Sequence, residues 1–274
     1  MSRVVLDVDT GIDDALAILY AVASPALELC GVTTVVGNVP AEVAARNSAA
    51  VLACAGAGEV PVAVGATRTR GGAGPREGPT NHGPDGLGGV VLPAGVEPSY
   101  DAGSVLRAAA VDGPVTLVSL APLTNVAALA PTATDIVLVA GELMTEEPPE
   151  LNAGHDPLAT ARVLAADRAP TLYVADVFEQ VSVRPADVAR LRSAPHRAAR
   201  LAGQLLAVRR GQLVGDAGAL VLLTHPHLFE VELRRIGQVG RHLTETDDGR
   251  LLDVVVAVDA SAVATAYVEA LLAH

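Results

Sequence analysis

Apolar positions recur along the chain in two rhythms. Short unbroken runs of branched residues at 4–8, 28–36, 61–64, 115–120, 136–140 and 171–175 predict buried strands. Stretches with apolar residues three or four apart predict helices over 12–23, 40–55, 102–111, 122–130 and 158–166, with Pro40 and Pro122 at helix starts. This alternation predicts an α/β fold: a mostly parallel central sheet with helices on both faces. Two segments break the rhythm. Residues 65–89, rich in Gly and Pro, read as a mobile loop over a site, and residues 141–154, rich in Glu and Pro, read as a second irregular loop. Residues 185–223 are helical in pattern, with an Arg-bearing face. Stretches 228–236 and 251–258 alternate like short antiparallel strands, Asp247-Asp248-Gly249 supplies a turn, and 260–273 is a final helix. No repeat or linker interrupts the pattern, so 1–274 reads as a single domain. In parallel sheets ligands bind beyond the carboxyl ends of the strands. Asp9, Asn38, Leu120 and Gly141 all end strands and are expected to converge.

The first strand-turn-helix carries the densest chemistry. Asp7, Asp9, Asp13 and Asp14 fall between a buried strand and an apolar helical stripe of Ile12, Leu16, Leu19, Tyr20 and Ala23. Thr10 is placed to cap that helix. Two carboxylates about 5 Å apart repel by roughly 3 kcal/mol at an effective dielectric near 20. Helix capping and solvation account for a single acidic pair. Four acids, with Arg3 as the only cation close in sequence, require protons, further cations or a hard metal ion.

Composition narrows the function classes. The apolar fraction is 50% but the aromatic fraction only 2%, with no Trp, so Val, Leu and Ala must build the core. A net charge of −12 argues against nucleic acid and anionic membranes as partners. All 19 basic residues are Arg, which excludes a Schiff-base lysine and a Walker-type phosphate loop. Cys30 and Cys54 read as buried free thiols in a reducing compartment. With no charged-then-apolar leader and no long uncharged span, a cytoplasmic location is expected.

Six motifs stand in order along nearly the whole chain: Asp7-Val8-Asp9-Thr10-Gly11-Ile12-Asp13-Asp14-Ala15; Thr33-Thr34-Val35-Val36-Gly37-Asn38; His82-Gly83-Pro84-Asp85-Gly86-Leu87-Gly88-Gly89; Ala121-Pro122-Leu123-Thr124-Asn125-Val126-Ala127; Glu150-Leu151-Asn152 with Asp156-Pro157; and Gly215-Asp216-Ala217 with Val231-Glu232-Leu233. Together they resemble the calcium-dependent nucleoside hydrolases, the inosine-uridine-preferring N-ribohydrolases. The resemblance implies a Rossmann-like fold, a ribonucleoside substrate, ribose and free base as products, an oxocarbenium-like transition state, and a homo-dimer or homo-tetramer. It implies Ca²⁺ held by Asp9, Asp14, Asp216 and the carbonyl oxygen of Leu120, with a metal-bound water deprotonated by Asp9. It places Asp13 and Asn152 at the ribose 2′ and 3′ hydroxyls, Glu150 at the 5′-hydroxyl, and Asn38 beside the sugar or the water. Asp7 becomes a partner that steadies the loop.

The chain departs from the family pattern mildly at Leu151, where Phe is usual, and at Thr10, where Pro is common, and more consequentially at two further points. Gly215 stands where the family usually has a His that assists the departing base, which makes His82 the substitute candidate acid. Met144 falls near the position of an Asn that touches the 5′ end. Two Phe and four Tyr give little material for stacking a purine, so base choice is expected to be pyrimidine-leaning or broad. His155, His225 and His227 read as structural or surface residues. Two other readings compete: a Mg²⁺-dependent phosphohydrolase with an aspartyl nucleophile, and a catalytically weak nucleoside or ribose binder.

Overall fold

Val4, Val5, Leu6 and Val8 are wholly buried in β1 (Ser2–Val8), which pairs in parallel with β2 (Leu27–Thr34) on one side and β4 (Thr116–Ser119) on the other. The computed structural model describes residues 1–78, 80–145 and 148–274; Pro79 of the stretch 65–89 and Glu146 and Glu147 of the stretch 141–154 lie outside the described residues. The remaining strands are β3 (Val62–Val64), β5 (Asp135–Val139), β6 (Thr171–Tyr173), β7 (Phe229–Val239), β8 (His242–Glu245) and β9 (Arg250–Val258). The sheet order is β3-β2-β1-β4-β5-β6-β9-β7-β8. All pairs are parallel except those of β7 with β8 and with β9.

Between the strands run α1 (Ile12–Ala23), α2 (Ala41–Ala55), α3 (Ala102–Val111), α4 (Val126–Leu129), α5 (Leu151–His155), α6 (Pro157–Leu164), α7 (Ala175–Phe178), α8 (Pro185–Arg192), α9 (Arg197–Val208), α10 (Ala217–Thr224) and α11 (Ala260–Ala273). Helix α1 packs against α2, α9, α10 and α11, while α3 lies on β2 and β3, and α4 on α6, so both faces are covered. The expected fold class is therefore observed. The strand order reverses between β1 and β4. At such a switch point the two connections leave in opposite directions and open a crevice beyond the strand ends.

Local differences have physical causes. Thr10 does not cap α1: its hydroxyl pairs with Ser48 at 2.7 Å. Capping falls to Asp14, whose Oδ2 accepts the Gly11 N–H at 2.8 Å. The helix expected over 122–130 shrinks to α4 and a 3₁₀ turn at Ala130–Thr132. Pro131 donates no backbone hydrogen bond, and the Thr124 and Asn125 side chains are drawn to Asp156 and Asp7. The stretch 141–154 is not wholly irregular, because Glu150 caps α5. The stretch 185–223 divides into α8, α9 and α10, with Pro195 in one break and Gly211, at φ 69°, in the other. Strand β8 escapes sequence reading. Cys30 and Cys54 are free, but half-buried rather than buried. Among the described residues no helix is long and apolar enough to cross a membrane.

Candidate active site

The crevice beyond β1 and β4 is a cavity of about 550 Å³. Asp13, Asn38, His82, Leu120, Glu150, Asn152 and Asp216 line it, and Asp9 and Asp14 are buried at 1% exposure each. Every residue expected at the site is thus placed at or beside one strand-end cluster.

Asp7 is wholly buried inside the sheet, in register with Thr33 of β2 and Ser119 of β4. Its Oδ1 accepts from Thr33 Oγ1 and from Asn125 Nδ2, both at 2.7 Å. Burial pushes its carboxyl up to about 7, against the pull of these donors. Asn125 also donates to the Thr34 carbonyl and accepts from Ala66 N–H, so Asp7 steadies the strand ends rather than facing the cavity.

Asp9 takes up its place through β2. Its Oδ2 accepts from Asn38 N–H at 2.6 Å and its Oδ1 from Asn38 Nδ2 at 3.0 Å. Gly37 is the enabling residue: a Cβ there would sit 1.8 Å from Asp9 Oδ2. Asp14, from the first turn of α1, and Asp216, at the start of α10, come from opposite halves of the chain. Burial, followed by the fields of Asp9 and Asp216, raises Asp14 well above the usual carboxylate range. Burial, followed by Asp13 and Asp9, does the same to Asp216. No hydrogen bond reaches the Asp216 carboxylate among the described residues.

Two cations that sequence adjacency could not show sit among these acids. Arg3 is not one of them; it pairs with Glu28 at 3.3 Å and Asp112 at 3.6 Å. Arg76, from the stretch 65–89, places Nη2 2.7 Å from both Asp9 Oδ2 and Asn38 Oδ1. Arg209, just past α9, grips Asp13 with Nε at 2.5 Å and Nη2 at 2.6 Å. Both would have been visible only as arginines in polar or helical segments, with nothing in spacing to assign them.

The donor set fits a hard divalent cation: three buried carboxylates, two of them favouring protons for want of positive charge, beside the Leu120 carbonyl. Among the described residues no three acidic, His or Cys side chains are already gathered into a cage. Arg76 holds the Asp9 carboxylate instead. Asn152 Nδ2 donates to the carbonyls of Leu120 at 3.1 Å and Val139 at 2.9 Å. Glu150 is engaged by backbone: its oxygens accept from the N–H groups of Asn152, Ala153 and Gly141 at 2.7, 2.9 and 3.0 Å. Burial still raises its carboxyl.

His82 accepts the Ile12 N–H on Nδ1 at 3.1 Å, which makes Nε2 the protonated nitrogen of a neutral ring. Burial lowers its basicity, consistent with that neutral form. The stretch 65–89 is fastened at several further points. Arg70 N–H reaches the buried Asp156, Arg76 N–H the Gly37 carbonyl, and the Gly74 carbonyl meets His155 Nε2 at 3.0 Å. Met144 is largely exposed at the cavity mouth, and its N–H is held by Asp176.

Residues 4–265 match the family described as inosine-uridine preferring nucleoside hydrolase. The chain is 41% identical to uridine nucleosidase 1 of Arabidopsis thaliana over 132 residues, covering 46% of this chain and 38% of that one. The matched part is therefore less than half of that plant protein. It is 32% identical to a pyrimidine-specific ribonucleoside hydrolase of Shewanella baltica over 261 residues, covering 84% of this chain and 80% of that one. A plant nucleoside hydrolase structure superposes with a TM-score of 0.88 at 23% identity, covering 100% and 99% of the two chains, a likeness of fold. A purine-preferring ribonucleoside hydrolase from Gardnerella vaginalis does so at 0.86 and 23%, covering 99% and 98%. Matched across residues 4–265, the chain belongs to the inosine-uridine preferring nucleoside hydrolase family.

Proposed function

We propose that this protein hydrolyses the N-glycosidic bond of ribonucleosides to ribose and free base. One observation supports the reading: Asp13, Asn38, Leu120, Asn152 and Asp216, drawn from distant parts of the chain, line one ligand-sized cavity at the sheet's switch point, with Asp9 and Asp14 buried beside it. Family membership leaves the aspartyl phosphohydrolase reading without support.

Asp9 takes the proton of the attacking water, and Asn38 orients its carboxylate through two hydrogen bonds. Asp13 and Asn152 hold the ribose 2′ and 3′ hydroxyls, and Glu150 faces the 5′ end. The acidic lining stabilises positive charge as it develops on the sugar. Asp9, Asp14, Asp216 and the Leu120 carbonyl would hold calcium, which would supply positive charge for the sugar hydroxyls and for lowering the basicity of a nearby water. Neutral His82 offers an Nε2–H as a hydrogen-bond donor at the site.

Base preference is taken as pyrimidine-leaning or broad. The Shewanella relative, named pyrimidine-specific, is more similar in sequence than the purine-preferring neighbour, and among the described residues Phe178 is the only Phe, Tyr or Trp lining the cavity. The same reading takes the working form as a cytoplasmic homo-dimer or homo-tetramer. The test is a panel of ribonucleosides scored for released reducing sugar, with p-nitrophenyl phosphate and Mg²⁺ as a control. Sugar release from uridine is expected. Binding of ribonucleosides without any release would mark a non-catalytic binder and overturn the reading.

A further inference from the structure

Past Asp13 and Asp216 the cavity continues into a side chamber of about 310 Å³, bounded by Asn81, Phe178, Glu179, Arg209, Arg210 and Gly215. At Gly215 no side chain enters it. A Cβ added there would meet only Phe178 Cδ2, at an ordinary 3.7 Å. Arg209 is its buried cation, with the side chain 9% exposed. The fork to Asp13 uses Nε and one hydrogen of Nη2. Nη1 and the second Nη2 hydrogen make no hydrogen bond among the described residues. A fixed guanidinium with unfilled donors, on the wall of a chamber that starts at a sugar-binding carboxylate, is a receptor for a planar anion.

We propose that Arg209 receives the negative charge of the departing base, and that the chamber therefore selects nucleosides whose base leaves as a carbonyl-stabilised anion, uridine foremost. The inference rests on the hydrolase reading above. The C1′–N1 bond breaks with its electron pair going to N1, and the charge spreads onto the 2- and 4-carbonyl oxygens of the uracil ring. Arg209 donates to the 2-oxygen. The water oxygen bonds to C1′ and its proton passes to Asp9; the released anion takes a proton from solvent. Asp13 fixes the direction of the guanidinium and, against the effect of burial, raises its basicity, so Arg209 acts by charge and gives up no proton. Adenine, which needs protonation to depart, gains little from such a partner.

The test compares uridine with 5-fluorouridine, whose base is the more stable anion, in the calcium-loaded wild type, Arg209→Gln and Arg209→Lys. Loss of one preorganised donor at a developing charge lowers kcat by about 100- to 1,000-fold. That loss is expected for Arg209→Gln on uridine, with KM little changed, a clearly smaller loss on 5-fluorouridine, and partial recovery in Arg209→Lys. Equal losses on both substrates would overturn the proposal by reducing Arg209 to a support for Asp13. The wild type alone gives a second reading should Arg209→Gln not fold: its kcat is expected to vary weakly across 5-substituted uridines, and a steep dependence on base acidity overturns the proposal. Wild-type protein that releases no base from any nucleoside sinks the hydrolase reading itself, an outcome distinct from turnover with the wrong leaving-group dependence.

Discussion

At the scale of single residues, the site is a problem of charge and of room. The room is decided by Gly37, because any side chain there invades the Asp9 carboxylate. Gly37→Ala is expected to lower stability by about 1–3 kcal/mol, the usual penalty of overpacking, and to abolish turnover by displacing Asp9. Thermal melts and an activity assay check both effects; unchanged turnover would show that Asp9 tolerates displacement. His82 carries a pH dependence with a definite sign. Its folded basicity lies below the ordinary histidine value, so its Nδ1 contact with Ile12 contributes stability that is complete above about pH 6.5 and lost as pH falls through the folded value. The protection of the Ile12 amide, its exchange rate relative to that of the unfolded chain at the same pH, should therefore fall on acidification in the wild type, and that fall should vanish in His82→Gln. The four N-terminal acids were legible because they are adjacent in sequence. Their cationic partners were not: Arg76 stands 67 residues from Asp9, and Arg209 stands 196 from Asp13. Arg3 looked like the local cation only because it is near along the chain.

At the scale of elements, the strands were readable because parallel strands buried on both faces show as continuous branched runs, and their carboxyl ends located the site. The edge strand β8, at four residues, carries too little pattern to stand out. The stretch 65–89 reads as loop by composition, yet hydrogen bonds to Asp156, Gly37 and His155 fasten it across the strand ends. Those contacts lie between distant segments and leave no local periodicity. Through them Arg76 supplies positive charge at Asp9 when no divalent ion does. Arg76→Ala is accordingly expected to bind calcium about ten-fold more tightly by titration calorimetry, since a competing cation is removed, a change worth about 1.4 kcal/mol. Weaker calcium binding would show that Arg76 supports the loaded site instead.

At the scale of the whole molecule, a chain with net charge −12 keeps several of its acids buried, and that couples folding to protons. Asp7, at about 7, and Asp14 and Asp216, raised by burial, bind protons more tightly in the folded chain than in the unfolded one. Groups raised in this way stabilise the fold at low pH and lose that contribution as pH climbs through the folded values, at about 1.4 kcal/mol per pH unit for each group in transition. Metal-free protein is therefore expected to melt at progressively lower temperature from about pH 5 to pH 7, and calcium to flatten that decline. Calcium that left the pH dependence untouched would place the ion away from these acids.

The most direct test of the central claim is ribose release from uridine by wild-type protein and Asp9→Asn, each stripped by chelator and then restored with calcium. Turnover is expected only in wild type with calcium, with loss on chelation, recovery on restoration, and none above background in a folded Asp9→Asn. Full turnover by Asp9→Asn, or by the chelated wild type, would contradict the claim.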